Sequence, residues 1–83
     1  MNYKKEWMGT NIEVINTAER MELKLDGKTV DFYKGLSLKK GTKLQGQNDR
    51  GDLFEVTFER SLLMTIKARI YYNGREIYDF LII

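Results

Sequence analysis

Lys67, Arg69, Tyr71, Tyr78, Phe80 and Ile82 are the residues of this 83-residue chain best suited to holding a ligand. Cations interleaved with aromatic rings can stack nucleobases or sugars, and aromatic surface also anchors protein contacts. Lys67, Arg69 and Tyr71 recur at every second position, so on a β-strand they share one face. Catalytic chemistry has less to work with. The only serines are Ser37 and Ser61, and there is no histidine to activate either. Without cysteine or histidine, neither a thiolate nor an imidazole metal site can form. Asn48, Asp49 and Asp52 could offer oxygen ligands to a cation, but Asn, Asp and Gly in such a cluster also serve turn geometry. Asp49 and Asp52 would need a shaped cleft to act as a hydrolytic pair, and so short a chain has little room for one. Arg50-Gly51-Asp52 spells a tripeptide of cell-adhesion ligands, yet no secretory segment goes with it. No Gly-rich phosphate loop is present. The residues predict a binding protein without enzymatic activity, metal or cofactor.

The elements that must carry these side chains are announced by a repeat. Met21-Glu-Leu-Lys-Leu-Asp-Gly-Lys-Thr-Val-Asp-Phe32 is echoed by Ala68-Arg-Ile-Tyr-Tyr-Asn-Gly-Arg-Glu-Ile-Tyr-Asp79. Alternating apolar residues that run into Asp-Gly or Asn-Gly and then alternate again mark a two-residue β-hairpin. A regular register pairs Leu25 with Lys28, Leu23 with Val30 and Met21 with Phe32 on the core face. In the second hairpin the same register pairs Ile70 with Ile77, Ala68 with Asp79 and Ile66 with Leu81 inside. Outside it pairs Tyr71 with Glu76, Arg69 with Tyr78, Lys67 with Phe80 and Thr65 with Ile82. Gly27 and Gly74 then need positive φ, and valine at either is expected to destabilise by roughly 1–3 kcal/mol. Gly46→Ala, in a weaker strand, is expected to cost less.

The rest of the chain fits the same architecture. Asn11–Asn16 reads as a strand with Ile12 and Val14 on one face. Asn16–Leu25 fits either a strand or a helix capped at Asn16. Gly35–Gln47 suggests two short strands broken at Lys39-Lys40-Gly41, and Gln47–Asp52 a turn. Leu53–Glu59 alternates strictly. A loop at Glu59-Arg60-Ser61 would set Phe58 opposite Leu62, Val56 opposite Met64 and Phe54 opposite Ile66, and start a long strand at Leu62. Residues 1–83 are therefore expected to form one all-β domain of seven or eight short antiparallel strands. A small sandwich is the leading arrangement and a partly open barrel the other. Residues 1–10 are read as an N-terminal arm carrying Trp7. The composition is globular, 42% hydrophobic and 31% charged, and the net charge of +2 is too small to imply nucleic acid. No apolar run approaches the roughly 18 residues of a membrane span. With no apolar segment behind Met1–Lys5 and no cysteine, a cytoplasmic protein is expected.

In that register the outer face of the second hairpin carries Leu63, Tyr71, Tyr78, Phe80 and Ile82 beside Lys67 and Arg69, too apolar for a solvated surface. Three covers are open: the Trp7 arm with Met8, a second copy of the chain, or a ligand such as single-stranded nucleic acid. A homodimer would also occupy the unprotected edge of Tyr78–Ile83.

Ile12-Glu-Val, Leu23-Lys-Leu-Asp-Gly-Lys28 and Ala68-Arg-Ile-Tyr-Tyr-Asn-Gly-Arg75 together resemble the Fas apoptotic inhibitory molecule family. The resemblance runs over about residues 12–80. It implies a β-sandwich without enzymatic activity that acts through protein contacts. Lys34-Gly35-Leu36 stands where that family has a tryptophan-containing stretch.

Overall fold

Eight strands build the chain in a computed structural model that describes residues 2–17, 19–34, 42–60 and 65–82. They are β1 (Asn2–Trp7), β2 (Thr10–Asn16), β3 (Arg20–Leu25), β4 (Lys28–Lys34), β5 (Lys43–Gln47), β6 (Leu53–Arg60), β7 (Ile66–Tyr72) and β8 (Arg75–Ile82). β1-β2-β3-β4 form one antiparallel sheet and β5-β6-β7-β8 the other. Each sheet is a meander of neighbouring strands. Among the described residues the two share no backbone ladder, so the fold is the expected sandwich and not a closed barrel.

Asp26-Gly27 and Asn73-Gly74 make the expected turns, with φ of 51° and 82° in the first and 49° and 87° in the second. Positive φ at both central residues is the pattern whose twist matches the flanking strands. In both, the first turn residue also ties down the strand beyond. Asp26 Oδ1 accepts the Asn11 N–H at 2.9 Å, and Asn73 Oδ1 accepts the Leu53 N–H at 2.8 Å. The repeat is thus a repeat of structure, one copy per sheet.

Alternation places the core. Ile12, Val14, Met21, Leu23, Leu25, Leu44, Phe54, Val56, Phe58, Ala68, Ile70 and Ile82 are buried between the sheets, each on the inward parity of its strand. Strand, not helix, prevails at Arg20–Leu25, because the inward Met21, Leu23 and Leu25 recur with period two.

Four sequence expectations need correction. The N-terminal arm is a strand: Asn2–Trp7 pairs with β2 through a Met8-Gly9 turn, with Trp7 opposite Thr10 and Asn2 opposite Ile15. The β6–β7 register is offset from the expected one, with Phe58 opposite Ala68, Val56 opposite Ile70 and Phe54 opposite Tyr72. The offset is even, so the inner faces survive. β7 begins at Ile66; the expected start at Leu62, like the first short strand of Gly35–Gln47, lies outside the described residues.

Both hairpins, third, contain a β-bulge. In the first, Leu25 meets Lys28 and Lys24 meets Thr29 as expected, but then Leu23 meets Asp31, Glu22 meets Phe32 and Met21 meets Tyr33. In the second, Tyr71 meets Glu76 and then Ile70 meets Tyr78, Ala68 meets Phe80 and Ile66 meets Ile82. Val30 and Ile77 are the inserted residues. An extra residue reverses the facing of every side chain after it.

The fourth correction is Gly46. A Cβ built on it would lie against the Val30 side chain, 2.5 Å from Val30 Cβ. Alanine is therefore costly at this position. Val30 and Gly46 belong to the seam where β4 of one sheet meets β5 of the other. There Asp31 Oδ2 accepts the Gln45 N–H at 2.9 Å.

Candidate functional site

The bulge at Ile77 separates the six candidate residues into two groups. Lys67, Arg69 and Tyr71 lie on the outer face of the second sheet, as alternation on β7 requires. Tyr78, Phe80 and Ile82 do not join them. They turn inward, opposite Ile70, Ala68 and Ile66, and Ile82 is buried. A single platform of all six residues is therefore not formed.

The inward group makes a second seam, between β8 and β1. The Tyr3 ring stacks on Phe80 at 3.7 Å between centroids and 7° between planes. Trp7 meets Tyr78 edge-on at 5.9 Å and Tyr72 at 6.1 Å. The Tyr78 hydroxyl donates to the Glu6 carbonyl at 3.0 Å, and Lys5 Nζ lies 5.3 Å from the Tyr78 ring centre. Burial, with Tyr78 and Asp79 close by, raises the Tyr3 hydroxyl pKa above its ordinary value of 10.0. Trp7 does cover the second hairpin, but from the rim of the opposite sheet and on its core side. Met8, expected to pack there too, is exposed.

The outward group is bound up in ion pairs. Lys67 Nζ lies 3.2 Å from Asp79 Oδ2. Arg69 Nη1 donates to Glu59 Oε2 at 2.7 Å, and its Nε lies 3.6 Å from Glu76 Oε1. The Glu59 hydrogen bond raises the Arg69 pKa further, so this cation is charged at any relevant pH. Lys43 and Glu55 continue the lattice at 2.9 Å. Leu81 stands among these charges, 53% exposed, because the bulge that turned Phe80 inward turned Leu81 out. With Glu59, Arg60, Lys67 and Arg69 it lines a shallow cleft of about 300 Å³. Arg60 makes no ion pair among the described residues.

Sequence reasoning passed over Leu81, but one signal pointed to it. The regular register put Asp79 on the core face against Ala68, a buried charge without a partner, and a bulge removes that conflict. Phe32 escaped notice in the same way. It is 49% exposed on the outer face of the first sheet, with the Arg20 guanidinium 4.4 Å from its ring centre.

The Asn48–Asp52 loop is engaged internally. Asn48 Oδ1 accepts the N–H groups of Arg50 and Asp52 at 3.0 and 2.9 Å, a turn built on a side chain. Arg50 Nη2 donates to the Met8 carbonyl at 2.7 Å, while Asp52 Oδ2 accepts from Asn48 Nδ2 at 3.3 Å. The adhesion-like tripeptide therefore fastens this loop to the β1–β2 turn. Among the described residues no group of three or more acidic side chains could hold a metal ion, and no helix is long and apolar enough to cross a membrane.

No family model matches the chain, and neither a curated protein nor a solved structure is significantly similar to it.

Proposed function

We propose that this chain is a non-enzymatic interaction module that works through protein contacts, self-association included. The observation that carries the reading is the outer face of the second sheet. There an exposed leucine stands beside Glu59, Lys67 and Arg69, whose positions are already held by ion pairs. An apolar centre inside a polar rim is how protein interfaces are built, and a rim ordered in advance loses little entropy on binding. The resemblance to the Fas apoptotic inhibitory molecule family fits the same class, a sandwich acting by contact. A cytoplasmic setting goes with the lack of cysteine.

Sedimentation velocity on the whole chain, from low to high micromolar concentration, tests self-association. Leu81→Lys should abolish association while leaving the β-type circular dichroism intact. A wild type that stays monomeric throughout would remove self-association and leave only a foreign protein partner.

Single-stranded nucleic acid is a second reading, favoured by the placement of Lys67, Arg69 and Tyr71 on one outer face, each half-buried. The pairing of both cations with carboxylates weighs against it, since a phosphate would have to displace them. Fluorescence anisotropy with a mixed-sequence oligonucleotide decides. Binding at low salt that falls steeply as salt rises would support it. No binding at tens of micromolar protein would end it.

A further inference from the structure

We propose that the groove between the outer edge of β2 and the aromatic face of β8, filled by β1, is a strand-acceptor site that also takes β1 from a second copy. The proposal rests on the self-association reading above but uses a different surface.

Three observations converge on it. The first is the hinge. Met8 and Gly9 link β1 to β2 with φ of 48° and 82°. At the matching position the other two turns of this kind carry Asp26 and Asn73, residues that tolerate left-handed backbone and whose side-chain oxygens lock the turn. Met8 does neither. Its side chain is 63% exposed, so no burial compensates for the backbone it must adopt.

The second observation is how that hinge is held. Its lock comes from a distant loop: Arg50 Nη2 donates to the Met8 carbonyl at 2.7 Å and lies 3.4 Å from Thr10 Oγ1. Asn48 Nδ2 donates to the same hydroxyl at 3.0 Å. A strained two-residue hinge closed by one clasp favours exchange of the strand beyond it.

The third is the strand itself. β1 lies at a sheet edge, with Asn2, Lys4, Lys5 and Glu6 exposed. Beyond the β2 ladder it is held by the inward pair Tyr3 and Trp7 on Phe80, Tyr78 and Tyr72, with the Tyr78 hydroxyl donating to the Glu6 carbonyl and Lys5 beside the Tyr78 ring. An identical β1 from another molecule makes the same contacts. When the hinge straightens, β1 and β2 continue as one strand from Asn2 to Asn16, and Met8 leaves the left-handed region. Reciprocal exchange closes a two-fold dimer with no free acceptor groove left over.

The test uses the full chain with Lys4→Cys and Glu13→Cys. These positions are cross-strand partners on β1 and β2, and the chain has no other thiol. Antiparallel partners stand at roughly 4.5–5.5 Å between Cα atoms, within disulfide reach. The protein is refolded at low and at high micromolar concentration, oxidised, and examined by sedimentation velocity and non-reducing electrophoresis. Strand exchange predicts a dimer at high concentration whose disulfides join two chains. Met8→Asn should weaken that dimer about tenfold by relieving the hinge, and Arg50→Ala should strengthen it by opening the clasp. A dimer whose disulfides all lie within single chains would overturn strand exchange and leave association through the Leu81 face standing. A monomer at every concentration in all variants would overturn both. Should Arg50→Ala fail to fold, the cysteine pair and Met8→Asn still decide.

Discussion

Gly46→Ala should be among the more damaging single-methyl additions available in this protein. Gly46 lies on β5 opposite the fully buried Phe54, with ordinary backbone φ, so alanine meets no torsional objection. The obstacle is Val30, whose Cβ would be 2.5 Å from the new methyl carbon. Carbon atoms in contact rest about 3.5–4.0 Å apart, so one side must yield by about 1 Å. Neither can do so freely. Val30 is the bulged residue of β4, and the adjoining Asp31 is hydrogen-bonded to the Gln45 N–H. Overpacking of this kind costs roughly 1–3 kcal/mol, and the rigid neighbours put Gly46→Ala near the upper end, about 3 kcal/mol. A domain this small has about 5 kcal/mol to lose, and the midpoint of thermal unfolding should fall by about 12–24 °C.

Urea titration followed by circular dichroism and Trp7 fluorescence measures the effect. The companion measurement is Val30→Gly, alone and combined with Gly46→Ala. Alone it removes the half-buried isopropyl group and loosens the backbone, and should cost about 2 kcal/mol. Combined, it removes both Val30 Cβ and Cγ2, the atoms that clash, so the double variant should lose less than the sum of the two single losses by about 1 kcal/mol or more. A cost below about 0.5 kcal/mol for Gly46→Ala, or a double variant whose losses simply add, would show that β4 and β5 do not meet as described.

Gly27→Val and Gly74→Val should each cost roughly 1–2 kcal/mol in the same titration, purely through backbone strain, since a Cβ at either position meets open space. Asn73→Asp should be nearly silent, because Asp26 already fills the matching position with the same side-chain oxygen bond, whereas Asn73→Ala should lose about 1 kcal/mol. Asp31→Ala should lose a similar amount by unlatching the Gln45 N–H. Tyr3 predicts the alkaline limb of stability. Its folded pKa is raised above 10.0, so its contribution is intact below about pH 10 and lost as pH rises through the folded value. Tyr3→Phe should therefore flatten the fall in stability above about pH 10, and an unchanged slope would refute the burial of that hydroxyl.

The strands of the two Asx-Gly hairpins were legible because the chemistry of their turns is local. Asp26-Gly27 and Asn73-Gly74 state positive φ outright, and period-two alternation names the inward residues of β2, β3, β6 and β7. What stayed hidden depends on contacts between distant segments. Met8-Gly9 gives no comparable signal, as methionine is not a residue that turns select, and the turn is fixed from the Asn48–Asp52 loop forty residues away. Asn2–Trp7 looks polar because, on an edge strand, only Tyr3 and Trp7 have anything to bury.

The two bulges account for the rest, and their locations show why they exist. In β8, a regular register would leave Asp79 facing Ala68 in the core and expose Tyr78 and Phe80. Inserting Ile77 brings the aromatics to Tyr3 and Trp7 and sends Asp79 out to Lys67. Burial favours that bulge. In β4, hydrophobicity alone would choose the opposite, since the bulge at Val30 exposes Phe32 and turns Asp31 inward. The return is structural: Asp31 reaches the Gln45 N–H and closes the seam with β5, while Phe32 lies under the Arg20 guanidinium. One bulge completes the aromatic seam and the other the polar one, at opposite edges of the sandwich. The candidate platform dissolved for the same reason that the sandwich holds together. Tyr78 and Phe80 join β8 to β1, and the residue left outside by that exchange is Leu81.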